Sequence, residues 1–376
     1  MKLLKNFLLV AISVLAITTA NAYQQDDDCC PPPPECECPP APCCDIPQEP
    51  TTPAYNQTAA INVCGSWDIY VTGTFLWIEP SQEQMEFAFV EYITYGQYSA
   101  YPNEAKKFDF DWKAAFKVGL GFHYNYDRWD NYLQYTRINT EMTSSATLPV
   151  VAGETITLRD LWLSQTPAAA VSEVHSKWKL DFNIFDLELA RAYYSGSKLI
   201  FRAHYGLKGG WINQSVRDTL TDIGDSKVNG TIRSKSWLIG PRAGIQTHWL
   251  LGEGFRLFGD AAASVFYQKF HKLTHREVYI NNPAQYFMAT NLHAEKINAA
   301  LEGIVGIGYG TYFDRNNWHF DIFAGYEVQM YFNQNMMRYL EQMYQLLLGG
   351  THPYFVITKP GNLMLQGLNV TARFDF

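Results

Sequence analysis

Beyond Cys64 the chain contains no cysteine, so any disulfide it makes must involve residues that precede the bulk of the sequence. After residue 22 no stretch approaches 18 consecutive apolar residues, which excludes a membrane-crossing helix from the processed chain. Between residues 23 and 64 there is no Lys or Arg. Charge is scarce overall, at 18% of residues. With Lys2 and Lys5 set aside the balance is −10, of which residues 23–64 carry −7, leaving residues 65–376 near −3. A nearly neutral body gives no basis for a nucleic-acid partner and none for strong ion selectivity. No glycine loop that would cradle phosphate is apparent, because Gly303, Gly306, Gly308 and Gly310 fall in an alternating segment where they relieve crowding. No Ser/His/Asp arrangement stands out. His271 and His275 have a helical metal spacing but fall in an expected loop, so no metal, no cofactor and no enzymatic activity are expected.

Residues 1–22 read as a secretory leader: Lys2 and Lys5, an apolar stretch over 7–17, then Ala20-Asn21-Ala22 as a small-residue cleavage site. Residues 23–64 form a separate block, expected to be disordered. It holds all seven cysteines (Cys29, Cys30, Cys36, Cys38, Cys43, Cys44, Cys64), ten of the eighteen prolines and seven acidic residues. Proline runs favour polyproline II and forbid a packed core. An odd cysteine count in an exported chain points to at least one intermolecular disulfide, so envelope proteins are the expected partners. A soft-metal tract around Cys36 and Cys38 is the alternative; proline stiffness and the absence of His weigh against a closed tetrahedral site. Asp26, Asp27 and Asp28 precede Cys29, so no lipid-anchoring cysteine signal is apparent.

The remainder, residues 65–376, is rich in aromatics and strictly alternating. In residues 368–376, Leu368, Val370, Ala372, Phe374 and Phe376 fall on one face, and Asn369, Thr371, Arg373 and Asp375 on the other. A period of two means a strand with one apolar and one polar face. Nine further segments share the pattern: 67–78, 110–124, 129–140, 176–192, 198–213, 232–249, 255–270, 297–312 and 318–332. In 176–192 the apolar set Trp178, Leu180, Phe182 and Ile184 is followed by Phe185, Leu187 and Leu189, which predicts a β-bulge at Ile184-Phe185.

The connections alternate in length. Those over 125–128, 194–197, 250–254 and 313–317 are short; those over 79–109, 141–175, 214–231, 271–296 and 333–365 are long. Ten strands with both termini on one side need five connections at one end and four at the other. That is the plan of an outer-membrane barrel, with short periplasmic turns, long outer loops and both termini periplasmic. The expected fold is therefore all-β: a transmembrane antiparallel β-barrel, ten strands (range 10–16), its outer face in outer-membrane lipid. Residues 67–78 and 366–376 should pair to close the ring. Trp67 and Trp77 bracket the first strand and Trp237 and Trp249 the sixth, as two aromatic girdles would.

Two stretches carry a resemblance. One is Gly121-Phe-His-Tyr-Asn-Tyr-Asp127 followed by Tyr132-Leu-Gln-Tyr-Thr-Arg137. The other is Trp178-Lys-Leu-Asp-Phe-Asn183, Asp186-Leu-Glu-Leu-Ala-Arg191 and Gly206-Leu-Lys-Gly-Gly-Trp-Ile-Asn-Gln214. With the Cys/Pro-rich front end, they resemble the major outer membrane protein-like family of Legionella and the chlamydia-related bacteria. The resemblance implies a pore-forming barrel and, in chlamydial relatives, a cysteine-linked envelope. This chain departs from the pattern in having no cysteine in its barrel.

Polar residues of the alternating segments should face the lumen: Lys113, Lys117, Lys179, Asp181, Glu188, Arg202, His204, Lys208, Arg242, His319, Asp321, Glu327 and Arg373, with Lys198, Arg256, Asp260, Glu302 and Asp375. A three-residue turn at Ser195-Gly196-Ser197 would set Glu188 opposite His204 and diagonal to Arg202. These side chains either line a water path or pair to fill the interior. Residues 336–348 have helical apolar spacing and could form a constriction. The function expected is a porin-like channel for ions and small solutes, held through its Cys-rich tail and open to homo-oligomer formation. The alternative is a structural or host-contacting surface protein of a disulfide-linked envelope.

Overall fold

The computed structural model describes residues 54–64, 67–93, 104–124, 127–150, 155–163, 171–280, 282–337 and 359–376. The leader, the six cysteines before Cys64 and most of the helical spacing over 336–348 lie outside these residues. Only Met336 and Met337 of that stretch are described; both are helical and buried.

Fourteen strands are present among the described residues: β1 (Ala54–Thr58), β2 (Ile69–Gln82), β3 (Glu86–Ile93), β4 (Glu104–Lys107), β5 (Lys113–His123), β6 (Trp129–Thr147), β7 (Thr155–Asp160), β8 (Val171–Gly196), β9 (Leu199–Asp222), β10 (Lys227–Gly252), β11 (Phe255–Tyr279), β12 (Asn282–Phe313), β13 (Trp318–Asn335) and β14 (Gly361–Asp375). Ten of them close into an antiparallel ring, β2-β5-β6-β8-β9-β10-β11-β12-β13-β14. The closing pair is β14 on β2, running from Leu363↔Gln82 to Asp375↔Tyr70. Phe376 and Ile69 then exchange two backbone hydrogen bonds, at 3.0 and 3.3 Å.

Strand length is where the sequence expectation needs correcting. The stretches 141–175, 214–231 and 271–296, expected as long loops, are largely strand, so β8, β9, β10, β11 and β12 run for 24–32 residues. Spanning an apolar belt takes only about 10 tilted residues. The surplus stands beyond the belt, and both faces of the sheet change character there. Next to the short turns the outward face is apolar: Phe185 and Leu187 on β8, Tyr205, Leu207 and Trp211 on β9, Val265 on β11, and Leu301, Val305 and Ile307 on β12 are all exposed. Further along the same strands the outward positions are Lys179, His175 and Glu173, then Arg217, then Arg233 and Lys235. From Trp237 to Trp249, twelve rises of ~3.3 Å tilted ~40° project to roughly 30 Å, near the height of a membrane-facing band.

Inside the overhang the pattern is reversed. Trp178, Leu180, Phe182 and Ile184 are buried within the barrel, with Ile212, Val216, Leu220, Val228, Ile232, Phe270 and Leu273 around them. Register through β8 is unbroken from Glu173 to Tyr194, so there is no bulge at Ile184-Phe185. Parity never changes; the surroundings do. Outside the belt the outward face meets water, and burying apolar area inside becomes favourable, as in a soluble protein. A bulge does occur in β11: Ser236 pairs Phe270 and Lys235 pairs Lys272, leaving His271 as the extra residue. His271 is exposed while His275 is buried inside, so the two cannot share a metal.

A small sheet, β4-β3-β7, completes the overhang. Phe87, Val90, Leu158, Trp162 and Leu163 join the same apolar cluster as the inward wall residues. A Cβ on Gly230 of β10 would fall 2.0 Å from Leu163 Cδ2, which shows how closely this sheet packs on the wall. Asn335 Nδ2 anchors its leading edge by donating to the carbonyls of Glu83 and Gln84 at 2.8 and 3.2 Å.

The block expected to be disordered through Cys64 is described only over residues 54–64, and there it is ordered. β1 pairs with β8 at the short-turn end (Ala54↔Gly196), Ala59 N donates to Ala192 O, and Cys64 N donates to Asn316 O. Residues 54–64 therefore form a strap from one wall to the turn between β12 and β13, on the far side of the ring.

Candidate functional site: a charge-filled lumen under an aromatic collar

Within the belt the interior is charged, because its alternate positions cannot face lipid. The strands bring partners from distant sequence together. On β9, Arg202 lies 2.5 Å from Asp130 of β6 and 3.1 Å from Glu188 of β8. Arg242 of β10 bonds Glu188 and also Glu302 of β12, the latter at 3.0 Å. Lys208 of β9 reaches Asp186 at 2.6 Å and Glu302 at 2.7 Å. Across the ring, Lys117 pairs Glu327, Arg256 pairs Asp321, and Arg373 lies 2.5 Å from Asp375. His204 Nε2 is 3.3 Å from Asp260, and His319 Nδ1 is 3.2 Å from Asp375. These pairs are largely buried, and their value lies in mutual compensation: two charges out of water are tolerable only while each keeps its partner.

Several expected lumen residues need individual placement. Glu188, Arg202, His204, Lys208, Arg242, His319, Asp321, Glu327, Lys117 and Arg373 face inward within the belt. Lys113 stands at the start of β5, half-exposed and 3.5 Å from Asp111. Lys179 and Asp181 do not face the lumen. They lie on the outward face of the β8 overhang, where Lys179 is exposed and Asp181 accepts a hydrogen bond from Asn183 at 2.9 Å. The β8–β9 register also differs from expectation: Ala190, not Glu188, is opposite His204. Glu188 still reaches both partners, with Arg202 the closer and His204 at 3.7 Å.

Asp130 and Asp186 are central members that the sequence reading omitted. Asp186 shares the parity of Glu188 two residues later, so its inward position was available in the sequence. Asp130 begins β6 immediately after a turn, where alternation is not yet established. Tyr70 was also missed: its hydroxyl donates to Asp130 at 3.3 Å and its ring lies 3.7 Å from the Arg373 guanidinium carbon. Gly121 makes room for that ring, since a Cβ there would fall 1.9 Å from Tyr70 Cζ.

The charged zone encloses a cavity of about 240 Å³, bounded at the short-turn end by Ala59, Ala60 and Ile61 of the strap. At its other end an aromatic collar begins. Tyr331 of β13 stands edge-on to Phe182 of β8 at 5.2 Å and 6.4 Å from Phe266 of β11, all three fully buried. Lys208 Nζ reaches the Tyr331 hydroxyl at 3.4 Å, joining the uppermost charges to the collar. Above it the apolar core of the overhang and the small sheet fill the section.

The barrel wall thus combines an apolar outer belt with a charged interior. The family model describing the Legionella pneumophila major outer membrane protein precursor covers residues 62–376. The chain belongs to this family. It is accordingly an outer-membrane protein, a channel or surface protein of β-barrel fold. No curated protein matches the chain. Among solved structures it is similar to the outer membrane protease OmpT from Escherichia coli, at 10% identity, a TM-score of 0.41, and coverage of 85% of this chain and 99% of that one. A Pseudomonas aeruginosa FadL homologue is similar at 8% identity and a TM-score of 0.25, covering 82% and 89%. The P. putida toluene transporter TodX is similar at 6% identity and a TM-score of 0.21, covering 82% and 90%.

Proposed function

We propose that this family member is a narrow outer-membrane channel for ions and small solutes, closed at the aromatic collar in the state described. The observation that carries the reading is a charge-lined cavity within the belt that meets a collar of Phe182, Phe266 and Tyr331 at one end. The carboxylates of the lumen outnumber its cations, so cations would be the better tolerated permeants. Ten strands leave little room, as open aqueous channels belong to wider barrels. In this orientation the short turns face the periplasm and the overhang faces outward. Both chain ends then lie on the periplasmic side, and the strap delivers Cys64 and the cysteines before it to that compartment. Those thiols would cross-link the barrel to envelope proteins or to a second copy.

A second reading has its own support. The collar and the small sheet pack as a continuous apolar core, which suits a surface or structural protein with little conductance. Single-channel recording on reconstituted protein separates the two. Rare, small steps in the wild type that become frequent and larger in Phe266→Ala/Tyr331→Ala support the channel. Silence from both, together with reducible multimers on gels, would sink the channel and leave the structural role.

A further inference from the structure

The small sheet meets the barrel wall through buried acids. Asp160 closes β7, and its Oδ1 accepts the N–H groups of Trp162 and Leu163 at 2.6 and 2.8 Å. Beside it on the wall is Asp218 of β9, only 1% exposed and within interaction range of Asp160, of the Ser176 hydroxyl and of the Thr219 N–H. The elements packed around the pair are all identifiable by register. Opposite Asp218 stand Ser176 of β8 and Gly230 of β10, and opposite Gly230 stands Glu277 of β11. His275 of β11 lies 2.8 Å from Glu277. Arg159, beside Asp160, turns away to Glu91 of β3 at 3.1 Å, and Asp222 caps its own turn through Gly224 N and Ser226 N. No Lys or Arg side chain among the described residues pairs with either acid.

We propose that Asp160 and Asp218 form a proton-held latch that docks the small sheet in the far end of the barrel and releases it as pH rises. Two carboxyls cannot remain together in an apolar site as a dianion; a shared proton turns the repulsion into a hydrogen bond. The site lies in the overhang, outside the belt. There burial pushes Asp160 up to about 6, and burial followed by the nearby Asp160 charge pushes Asp218 well above the ordinary carboxylate range. Undocking admits water to both and moves them back toward the ordinary carboxylate value of 3.8. The docked state thus holds more protons than the undocked one from about pH 4 up to the raised range in which Asp218 itself titrates. Docking is therefore strongest at low pH and is lost with rising pH. Above about pH 6, with one excess proton still held, it weakens by about tenfold per pH unit.

The test does not depend on conduction. Backbone hydrogen exchange is followed in the full chain in nanodiscs, corrected for intrinsic pH dependence, comparing residues 155–163 with residues 178–184 of the wall. In the wild type, opening of 155–163 relative to the wall should rise about tenfold per pH unit above about pH 6. Asp218→Asn should stay protected at pH 8.5 and lose that slope, whereas Asp160→Asn, whose amide oxygen can still accept from Trp162 N, removes the repulsion but not the burial of Asp218 and should be better protected than the wild type at pH 8.5 while keeping part of the slope. Equal wild-type protection at pH 5.5 and 8.5, or a wild-type slope in folded Asp218→Asn, would overturn the latch. Folding is checked by heat-dependent mobility on gels; if Asp218→Asn fails to fold, the double variant Asp160→Asn/Asp218→Asn, which must also lose the slope, decides.

Discussion

Replacing Lys208 with Met is the sharpest probe of the lumen's charge balance. The side chain is 1% exposed and is shared by Asp186 and Glu302 at 2.6 and 2.7 Å. Methionine keeps most of its length, so the perturbation is chiefly the loss of charge. Arg242 is then the nearest cation for both acids; it keeps Glu302 at 3.0 Å but stands 3.7 Å from Asp186. One carboxylate is left buried without an adequate partner, which typically costs about 3–5 kcal/mol. Adding Asp186→Leu removes that orphan and leaves Glu302 with Arg242. The double variant should therefore be more stable than Lys208→Met alone, by at least ~1 kcal/mol, a strongly non-additive outcome. Urea unfolding in micelles, followed by tryptophan fluorescence, reads both values. A single-variant loss under ~1 kcal/mol, or a double variant equal to the sum of the singles, would refute the view that these pairs are held by mutual compensation.

Two smaller substitutions bear on the same architecture. Gly121→Ala should cost roughly 1–3 kcal/mol in the same unfolding assay, because its methyl group drives the Tyr70 ring off Arg373 and Asp130. Lys179→Ala should stay within about ±0.5 kcal/mol and leave any conductance unchanged, since the side chain is exposed on the overhang rather than in the lumen.

The ring itself was legible because lipid and lumen impose opposite chemistry on alternate residues, and Leu368–Phe376 carries that pattern to its last position. Closure of 366–376 on 67–78 followed from counting connections; the observed pairing runs over Tyr70–Gln82. The overhang was not legible by the same rule. In 171–184 and 212–222 the apolar residues point inward and the polar ones outward, so a search for apolar-out strands reads them as loops or, at Ile184-Phe185, as a slip. The swap at that point is a change of solvent along a strand of constant parity. Asp160 and Asp218 were hidden for the same reason, each lying in a stretch expected to be loop. Lys179 and Asp181 read as inward only where Trp178 and Leu180 face lipid; above the belt those apolar side chains turn into the interior and the parity is the opposite. The strap over 54–64 carries no periodic signal: its hold on the barrel includes backbone pairing with β8, a hydrogen bond from Arg191 to Asn56 Oδ1 and a backbone bond to Asn316, which alternation does not reveal.

The claim that one unbroken β8 passes from lipid into water can be measured directly. Nitroxide labels are placed one at a time from residue 177 to residue 189 in a chain whose seven cysteines are serine, and collisions with oxygen and with a water-soluble nickel chelate are compared in bilayers. The structure requires labels at 185, 187 and 189 to meet lipid, those at 177, 179 and 181 to meet water, and those at 178, 180, 182 and 184 to meet neither. Lipid contact at 178, 180, 182 and 184 would restore the bulge and contradict the two-tier barrel.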